Sequence, residues 1–368
     1  MGIEVRPVKG EAELAAVRRL RYDVYVRELG RPPMAGELAQ GQVVEAEDEG
    51  SIVYAAFDGK VPVASLRMTP ADTLDPESPW HSLYGFKSFP VPTSAQAVLS
   101  RLVVRADQRA TMVAPQLLAT AYDAFRGAGG ELIFLRCAAN MVPMYEVIGC
   151  RRYKPGAEDE EAGFRVPMVM IAGDWTYFEA VKSPLIDNVQ LHAPNLTIGD
   201  WFEVEYPEYS RPATVRVLGR DEFLLSFAQR LNDSSIPLLD DLKPAEKKQL
   251  FASATQRRVK RGEVILRKGG TDTAMFLISE GAVEVSESVR GQRRLLTTLG
   301  DGQLFGEAAF LMQTPRTADV TAITDTDLVE LDVEAFAKLG EAHPKVALKV
   351  LRNLSRTLCM RLYAHNAS

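Results

Sequence analysis

A stretch near the carboxyl terminus, Phe305–Val320 (FGEAAFLMQTPRTADV), combines residues that can bind a sugar and a phosphate. Gly306 lets the backbone come close to a ligand. The Glu307 carboxylate can accept hydrogen bonds from a sugar diol, and the planar guanidinium of Arg316 matches a phosphate. A helical turn at Ala308–Leu311 would direct its amide groups to the same place. One carboxylate for a ribose and one arginine for a single phosphate predict a pocket for a cyclic mononucleotide.

The chain around this stretch resembles a cyclic nucleotide-binding domain, from about Ile236 to the C-terminus, and Phe305–Val320 resembles the phosphate-binding cassette of that family. Arg261–Val285 alternates short apolar runs with glycines, which predicts a small β-barrel or jelly roll. A final helix should run from Pro344 to about Tyr363. Because that helix is too short for a winged-helix DNA reader, we do not expect a transcription factor.

The resemblance implies a role for each matching residue. Glu307 would hold the ribose 2′-hydroxyl, Arg316 the cyclic phosphate, and Thr317 would lie near the purine. Because a threonine hydroxyl both donates and accepts, it can serve adenine or guanine. The resemblance to bacterial sensors favours cAMP, and cGMP stays open. The alternative is an ordinary surface ion pair between Glu307 and Arg316. The predicted nucleotide-binding residues are Phe305, Gly306, Glu307, Ala308, Arg316 and Thr317.

The first half of the chain predicts the order helix, hairpin, strand, helix, strand. Apolar residues at helical spacing open it, and Asp58-Gly59 joins two apolar runs as a hairpin turn would. This order resembles the GNAT acyltransferase fold over about Val5–Tyr153. The segments are a helix with Val17, Leu20, Val24 and Tyr25, the hairpin Ser51–Met68, the strand Ala97–Arg105, the helix Pro115–Gly127 and the buried strand Glu131–Ala138.

Three segments resemble motifs of acyl-homoserine-lactone synthases and long-chain N-acyl amino acid synthases. They are LRYDVYVRELG (Leu20–Gly30), VASLRM (Val63–Met68) and LSRLVVR (Leu99–Arg105), in the order of that family. The expected fold class is α+β, with a GNAT-like mixed central sheet flanked by helices before the C-terminal barrel. The expected reaction is transfer of an acyl group from a thioester to an amine.

Such a transfer needs an uncharged amine, a polarised carbonyl and a proton for the leaving thiolate. By resemblance, a backbone amide around Val103–Arg105 polarises the carbonyl, and Tyr145, in NMVPMYEVIGCRRY (Asn140–Tyr153), protonates the thiolate. The alternative for Tyr145 is a tyrosine packed on the sheet. Glu47, in the run EAEDE (Glu45–Glu49), is the candidate base, although such a run also describes a solvated face.

Arg67, Ser100 and Arg101 lie on the predicted strands that would face the cleft. Arg67 and Ser100 are candidate substrate-binding residues, and Arg101 is grouped with Tyr145 and Glu47 as catalytic. The two arginines either bind a carboxylate or phosphate of a substrate or close ion pairs with the acidic run.

The acyl donor should bind at Gln108–Ala114 (QRATMVA). The family's pyrophosphate loop has a glycine where Met112 stands, and a side chain there narrows the approach of a diphosphate to the amides. This favours an acyl carrier protein, whose arm carries one phosphate, over acyl-CoA, which the helix N-terminus near Pro115 still allows. The predicted donor-binding residues are Val103, Val104, Arg105, Arg109, Val113 and Ala114.

Composition limits the remaining function classes. The chain has 368 residues, enough for two domains, and its net charge of −6 gives no reason to expect nucleic acid binding. Three cysteines without metal-type spacing and no apparent signal peptide predict reduced thiols in a cytoplasmic protein. Four scattered histidines predict no metal site. No apolar run reaches the length of a transmembrane helix.

Together these patterns predict three regions, 1–184 as a GNAT-like acyltransferase domain, 185–233 as a β-rich connector and 234–368 as the cyclic nucleotide-binding domain. A hairpin is expected at Ala213–Phe227. Leu351, Leu354, Leu358 and Leu362 line one side of the final helix, which can cover the barrel, close over the nucleotide or pair with a second subunit. One hypothesis is an N-acyltransferase regulated by a cyclic nucleotide. The other is a non-enzymatic protein whose first domain binds an acyl carrier or another partner.

Overall fold

The computed structural model describes residues 2–28, 37–39, 41–109, 111–159, 163–210, 216, 218–230, 236–289 and 292–365. The chain forms two compact units, each taken here by itself. The first contains Met1–Cys137, Pro143–Gly156 and Val166–Asp233, and the second Ala138–Val142, Ala157–Arg165 and Ser234–Ser368. Within the described residues, none of the helices has both the length and the apolar character that crossing a bilayer requires.

A mixed sheet forms the centre of the first unit. Its order is β1-β4-β5-β6-β7-β10-β8, with β6 and β7 parallel, the other neighbours antiparallel, and β9 paired with the start of β10. The strands are β1 (Glu4–Pro7), β2 (Glu37–Ala39), β3 (Gln42–Val44), β4 (Ile52–Asp58), β5 (Val61–Pro70), β6 (Gln96–Val104), β7 (Leu132–Cys137), β8 (Cys150–Arg152), β9 (Ala157–Asp159) and β10 (Gly163–Ile171), where β2 and β3 pair separately.

Helices flank this sheet. The opening helix has Glu11 and Glu13 in its first turn and Arg19 and Arg21 in its last, which suits the helix dipole, and it continues as a π-helical segment, Asp23–Glu28. The helices are α1 (Gly10–Tyr22), α2 (Trp80–Tyr84), α3 (Val113–Gly127), α4 (Val142–Ile148), α5 (Trp175–Ala180), α6 (Ile186–Val189), α7 (Leu196–Glu205) and α8 (Arg220–Arg230). The predicted order of helix, hairpin, strand, helix and strand is confirmed.

The β-rich character predicted for 185–233 is wrong. This stretch carries α6, α7 and α8, and no strand occurs in its described part. Residues 213–215 and 217 of the expected hairpin lie outside the described residues, and residues 220–227 of it lie in α8. The buried residues Phe223, Leu224, Phe227 and Ala228 follow helical spacing, and Asp221 and Glu222 stand at the N-terminus, where acids favour a helix.

The sheet opens between β6 and β7. Their pairing is confined to Gln96–Val98 with Leu132–Phe134, although β6 continues to Val104 and β7 to Cys137. Arg101 has a positive φ of 54°, and the pairing of β5 with β6 shifts register between Ser65 and Arg67. These are the marks of a β-bulge, which bends a strand. Beyond Val98, the side of β6 away from β5 therefore has no strand partner among the described residues.

The second unit contains two four-stranded sheets, with the orders β11-β18-β13-β16 and β12-β17-β14-β15. One apolar core lies inside the barrel around Phe276, Ile278, Phe305 and Leu328, and another joins the barrel to the helices. The expected C-terminal β-barrel with helices is confirmed, and so is the long final helix. The strands are β11 (Thr255–Val259), β12 (Val264–Leu266), β13 (Met275–Glu280), β14 (Ala282–Val289), β15 (Gln292–Gly300), β16 (Leu304–Phe305), β17 (Asp319–Ala322) and β18 (Thr326–Leu331), and the helices are α9 (Pro244–Ala252), α10 (Glu307–Met312), α11 (Val333–Ala342) and α12 (Pro344–His365).

Candidate functional site

Arg316 is the most enclosed charged side chain of the predicted nucleotide pocket. Its side chain is only 2% exposed, and its guanidinium donates to two main-chain carbonyls, from Nη1 to Gly306 O (3.0 Å) and from Nη2 to Ala274 O (2.7 Å). Nη2 also pairs with the Asp272 carboxylate. The Nε–H has no hydrogen-bond partner among the described residues. The barrel therefore holds this cation in a fixed orientation with donor capacity still available.

The backbone before α10 comes very close to this guanidinium. Gly306 has a left-handed φ of 79°, and a Cβ there would lie 2.7 Å from Arg316 Nη1 and 2.9 Å from Ala274 O. Glu307 opens α10 and, like Ala308, is half-buried, whereas Thr317 is exposed. Phe305 is buried and stacks on Phe276 with ring centroids 5.0 Å apart. Four of the six predicted residues, 305–308, are consecutive at this turn, Arg316 contacts it through Gly306 O, and Thr317 follows Arg316 in the chain.

A buried cluster of charges lies on one face of the first unit's sheet. Asp48 accepts from Arg21 Nη1 (2.7 Å) and Arg67 Nη1 (3.2 Å), and Glu45 accepts from Arg67 Nη1 (3.3 Å) and pairs with Arg101. All but Arg101 have side chains no more than 1% exposed. Nε and Nη2 of Arg21 have no hydrogen-bond partner among the described residues. Arg18 Nε, on a side chain that is 12% exposed, also donates to Asp48 (3.2 Å). Among the described residues, four guanidinium groups therefore contact two carboxylates.

Burial and neighbouring charges shift the pKa values of Asp48, Arg67 and Arg101 in this cluster. Burial by itself would raise the pKa of the Asp48 carboxyl, but Arg21 and Arg67 bring that pKa below its usual value. Burial lowers the pKa of Arg67. Burial also opposes the charge of Arg101, but its hydrogen bond to Glu45 raises the pKa of Arg101 above the usual range. A second anion entering beside Arg101 would therefore meet a permanent cation.

Arg67 and Ser100 face each other across β5 and β6, and Arg67 Nε donates to Ser100 Oγ (3.1 Å). The side chain of Arg67 is 1% exposed, and its guanidinium donates hydrogen bonds to Ser100, Glu45 and Asp48. The expected ion pairs with the acidic run therefore exist, and the burial of Arg67 argues against a direct substrate contact. Arg101 is more accessible, at 18%. Glu47 is half-buried, and its charge acts on Arg101.

The opened edge of β6 presents one backbone amide in particular. Arg105 N donates to Val63 O (2.9 Å), towards β5. Because successive amides of a strand point to opposite sides, the Val103 amide also points towards β5 and the Val104 amide points into the opening. Arg105 is therefore not a carbonyl-polarising donor, and its exposed side chain pairs with Asp107. Val104 fits that function.

The remaining donor-binding candidates lie where β6 leads into α3. Arg109 Nε donates to Val104 O (3.1 Å), and its Nη2 donates to Glu28 (2.8 Å). Val113 and Ala114 form the first turn of α3 and are buried. Met112 is the residue before that helix and is half-buried, so its side chain stands where the donor loop of the family has a glycine.

Tyr145 lies on the apolar side of the opened strands. It lines a cavity with a volume of about 20 Å³, and its ring packs edge-on against Phe227 at 5.4 Å between centroids. Burial raises the pKa of its phenol well above the usual value, so it is protonated at neutral pH. Leu99 lines the cavity and precedes Ser100, so the cavity and the arginine cluster lie on opposite faces of the sheet. The other lining residues are Leu118, Tyr122, Ile133, Leu135, Ile148, Cys150, Met170 and Leu185.

Comparison with known proteins finds two family models that match different parts of the chain. The family model "N-acyl amino acid synthase FeeM" matches residues 16–174, and the model "Cyclic nucleotide-binding domain" matches residues 256–343. The chain combines these two domains. Both resemblances predicted from the sequence are confirmed.

Individual relatives match a limited part of the chain. A Bradyrhizobium diazoefficiens protein named Glutaminase 2 is 37% identical over 130 residues, covering 35% of this chain and 20% of the relative. The cyclic AMP receptor protein of Thermus thermophilus is 36% identical over 128 residues, covering 34% of this chain and 57% of the relative. The catabolite activator protein structure from the same organism has 32% identity and a TM-score of 0.32, over 34% of this chain and 58% of that one. The chain therefore spans about a fifth to three fifths of these relatives.

The sequence reasoning missed three residues of these sites. Arg21 is a charged residue on the buried side of α1, four residues after Val17, and a charge at a core position of an amphipathic helix could have indicated it. Asp48 stands beside Glu47 in the acidic run, and the sequence gives no reason to prefer either. Asp272 pairs with Arg316 but precedes it by 44 residues in the sequence, so no local pattern indicates the pair.

Proposed function

We propose that the protein is an N-acyltransferase that moves an acyl group from a carrier-protein or CoA thioester to an amine, under the control of a cyclic nucleotide. The amine is an amino acid in the first instance, and a protein lysine is the other candidate. The opening between β6 and β7 is the observation that supports this most strongly. It combines a Val104 amide on an edge that has no strand partner among the described residues, an apolar cavity on one face and a cluster of arginines on the other.

In this proposal the thioester carbonyl accepts a hydrogen bond from the Val104 amide. As negative charge develops on that oxygen, the bond strengthens, and one such donor contributes about 10²–10³ in rate. The amine nitrogen forms the new C–N bond as the C–S bond breaks. The proton lost by the amine passes to Glu47, directly or through water, and Tyr145 gives a proton to the thiolate, so that the two transfers balance.

The acyl chain would lie on the cavity side. The lining of the cavity is apolar, and it includes Leu99 and Leu135, which stand on β6 and β7 where the two strands separate. Tyr145 belongs to the same lining. A thiolate without hydrating water readily accepts a proton from a neighbouring phenol. No water competes there for the hydrogen bond between the two groups.

The acceptor would lie on the arginine side. An excess of guanidinium groups over carboxylates in a buried cluster favours an anionic ligand, since uncompensated buried charge is costly. Arg101 would contact the carboxylate of an amino acid. Arg67 would act as a positioning residue that fixes Ser100 and Glu45. Arg109, Val113 and Ala114 would hold the phosphate end of the donor arm.

The regulatory ligand would be cAMP or, failing that, cGMP. Arg316 would bind the cyclic phosphate, Glu307 the ribose and Thr317 the purine, with Phe305, Gly306 and Ala308 forming the turn around them. The enclosed guanidinium beside a left-handed glycine supports this assignment. Because the ligand binds one unit and the chemistry occurs in the other, control requires that the nucleotide stabilise one of two arrangements of the protein.

The decisive experiment measures free thiol released from long-chain acyl carrier protein, and separately from acyl-CoA, with an amino acid acceptor and with or without cAMP. We expect amine-dependent thiol release whose rate changes with cAMP. Arg101→Ala should raise KM for the amino acid by about tenfold or more, because a charged hydrogen bond is lost. Arg105→Ala, which removes an exposed arginine of the same strand segment, should leave KM unchanged.

Two results would contradict the proposal. Tight binding of the acyl carrier without amine-dependent thiol release would instead support a non-enzymatic carrier-binding protein, a function that the Met112 side chain at the donor loop also favours. Equal turnover with amines that lack a carboxylate, unaffected by Arg101→Ala, would remove the amino acid as the acceptor.

A further inference from the structure

The guanidinium of Arg316 already holds an anion that belongs to the protein itself. Asp272 Oδ1 pairs with Arg316 Nη2, beside the Ala274 carbonyl that accepts from the same nitrogen. The two partners differ in environment, because the side chain of Arg316 is 2% exposed and that of Asp272 is 56% exposed. The carboxylate therefore reaches in from solvent to a cation that the barrel encloses.

The loop that carries Asp272 is fixed to the backbone of Arg316. Gly269 N donates to Arg316 O (2.8 Å), and Arg316 N donates to Gly270 O (2.8 Å). Asp272 follows two residues later, so the loop brings its carboxylate to the guanidinium without ordering a long segment. The contact is part of the built turn and not a chance meeting of two flexible side chains.

Arg316 does not depend on Asp272 for its position. Gly306 O and Ala274 O, which belong to different segments, accept from different nitrogens of the guanidinium and fix its plane. A buried cation nevertheless needs a counter-charge, and in the described residues Asp272 is the carboxylate that pairs with it. A cyclic phosphate would supply the same counter-charge, so the two anions compete.

We propose that Asp272 is an internal competitor of the nucleotide phosphate, and that its pairing with Arg316 raises the Kd for the nucleotide. When the cyclic phosphate binds, the Asp272 carboxylate turns into solvent, which its exposure allows at little cost. The Asp272 carboxylate and the cyclic phosphate would repel each other at the same guanidinium. The nucleotide has the advantage that contacts to its ribose and purine also hold it in place. This inference rests on the nucleotide site proposed at Arg316 and adds how its affinity is set.

The test is isothermal titration of the full-length protein with cAMP, comparing the wild type with Asp272→Asn. We expect the Kd to fall by about three- to thirtyfold in the variant, because the competing charge is gone while the two carbonyls still orient Arg316. The ratio of the wild-type Kd to the variant Kd should decrease at high salt, since screening weakens the competition in the wild type. Asp272→Glu, which keeps the charge, should bind within a few fold of the wild type.

A matched control separates competition from a general change of charge. Asp327→Asn makes the same chemical change at an exposed aspartate of β18 whose nearest ionic partner is Arg258 (3.6 Å), and it should leave the Kd unchanged. Asp272→Asn should also lower the melting temperature of the ligand-free protein and not that of the cAMP complex. The free energy of unfolding that the ligand-free variant loses should then equal the cAMP-binding free energy that the variant gains, as linkage requires.

The outcomes are distinct. Unchanged or weaker cAMP binding in Asp272→Asn, with wild-type binding intact, would overturn the competitor and leave the proposed nucleotide site standing. Binding by neither protein, to cAMP or cGMP, would overturn the site itself together with this inference. Asp272→Ser provides a second neutral variant, with the same expectation, if the asparagine variant does not fold.

Discussion

Two arginines that the sequence marks as candidates, Arg67 and Arg316, are both almost fully buried, but their partners differ. Arg67 is paired with two carboxylates that are themselves buried and with the half-buried Ser100, so its charge is compensated by carboxylates that solvent does not reach. Breaking such a buried pair typically costs about 3–5 kcal/mol. Arg316 is held by neutral carbonyls and by one exposed carboxylate. Burial alone therefore does not distinguish the two arginines, whereas the exposure of their counter-ions does.

Tyr145 offers the sharpest functional test of a single side chain. Tyr145→Phe removes the proton donor proposed for the leaving thiolate, and we expect kcat to fall by about 100-fold or more, the usual contribution of a positioned acid. Because Tyr145 packs among the mostly apolar residues of this lining and Phe keeps its ring, the substitution should change the free energy of unfolding little. Burial raises the pKa of the phenol, so the activity should show no loss from its ionisation between pH 7 and its usual value of about 10.

The same cavity supplies the control for that variant. Tyr122 also lines it, but its hydroxyl donates to Ala172 O (2.6 Å). Tyr122→Phe should cost about 1–3 kcal/mol of stability, because a buried carbonyl loses its donor, while kcat stays near that of the wild type. A Tyr145→Phe protein with wild-type kcat would show that this tyrosine is a packing residue.

At the level of elements, both candidate sites form where regular structure is interrupted. In the first unit the bulge at Arg101 turns β6 away from β7, and in the second a left-handed glycine ends β16 and begins α10. An uninterrupted ladder would leave no backbone groups for a ligand, since each would already be bonded. The interruptions therefore give each site its available backbone.

Gly306→Ala tests whether that glycine shapes the nucleotide site. The new Cβ would lie 2.7 Å from Arg316 Nη1, so the guanidinium must move, and we expect cAMP affinity to fall by about tenfold or more in titration calorimetry. Gly262→Ala is the matched control in the same unit, with a φ of +85° and nothing within 4 Å of the added carbon. Both variants have the left-handed backbone strain of about 1–2 kcal/mol, and Gly262→Ala should keep its affinity. Equal affinities of the two variants would remove Gly306 from the site.

Elements with local signals could be predicted from the sequence, and those set by distant partners could not. Asp58-Gly59 fixes the β4–β5 hairpin within a few residues, and the glycine-broken strands before Phe305 indicate a barrel. The sequence of α8 also fits the pattern of a hairpin, because a short apolar run is compatible with both the helical and the strand period. The inward direction of the Val104 amide depends on the bulge, and the Asp272 pair joins residues far apart in the chain.

At the scale of the whole molecule, the two units have separate apolar cores. Val17, Val53 and Phe57 pack in the first, and Phe276, Phe305 and Leu328 in the second. The second unit also takes in Ala138–Val142 and Ala157–Arg165, which interrupt the first unit along the sequence. A ligand that binds one unit can therefore shift the equilibrium between two arrangements of the protein only if it binds one arrangement more tightly than the other.

The size of that stabilisation can be predicted and measured. A ligand that binds only the folded state, present at about 100 times its Kd, adds about 2.7 kcal/mol to the free energy of unfolding. We expect cAMP to give this increase in urea or thermal unfolding of the second unit, and linear 5′-AMP, at the same concentration, to give much less. Arg316→Ala should abolish the increase because the phosphate loses its cation, while the first unit stays folded. Arg258→Ala removes an exposed arginine of the same barrel and should keep the increase. If cAMP stabilises Arg316→Ala as much as the wild type, the nucleotide binds elsewhere on the chain.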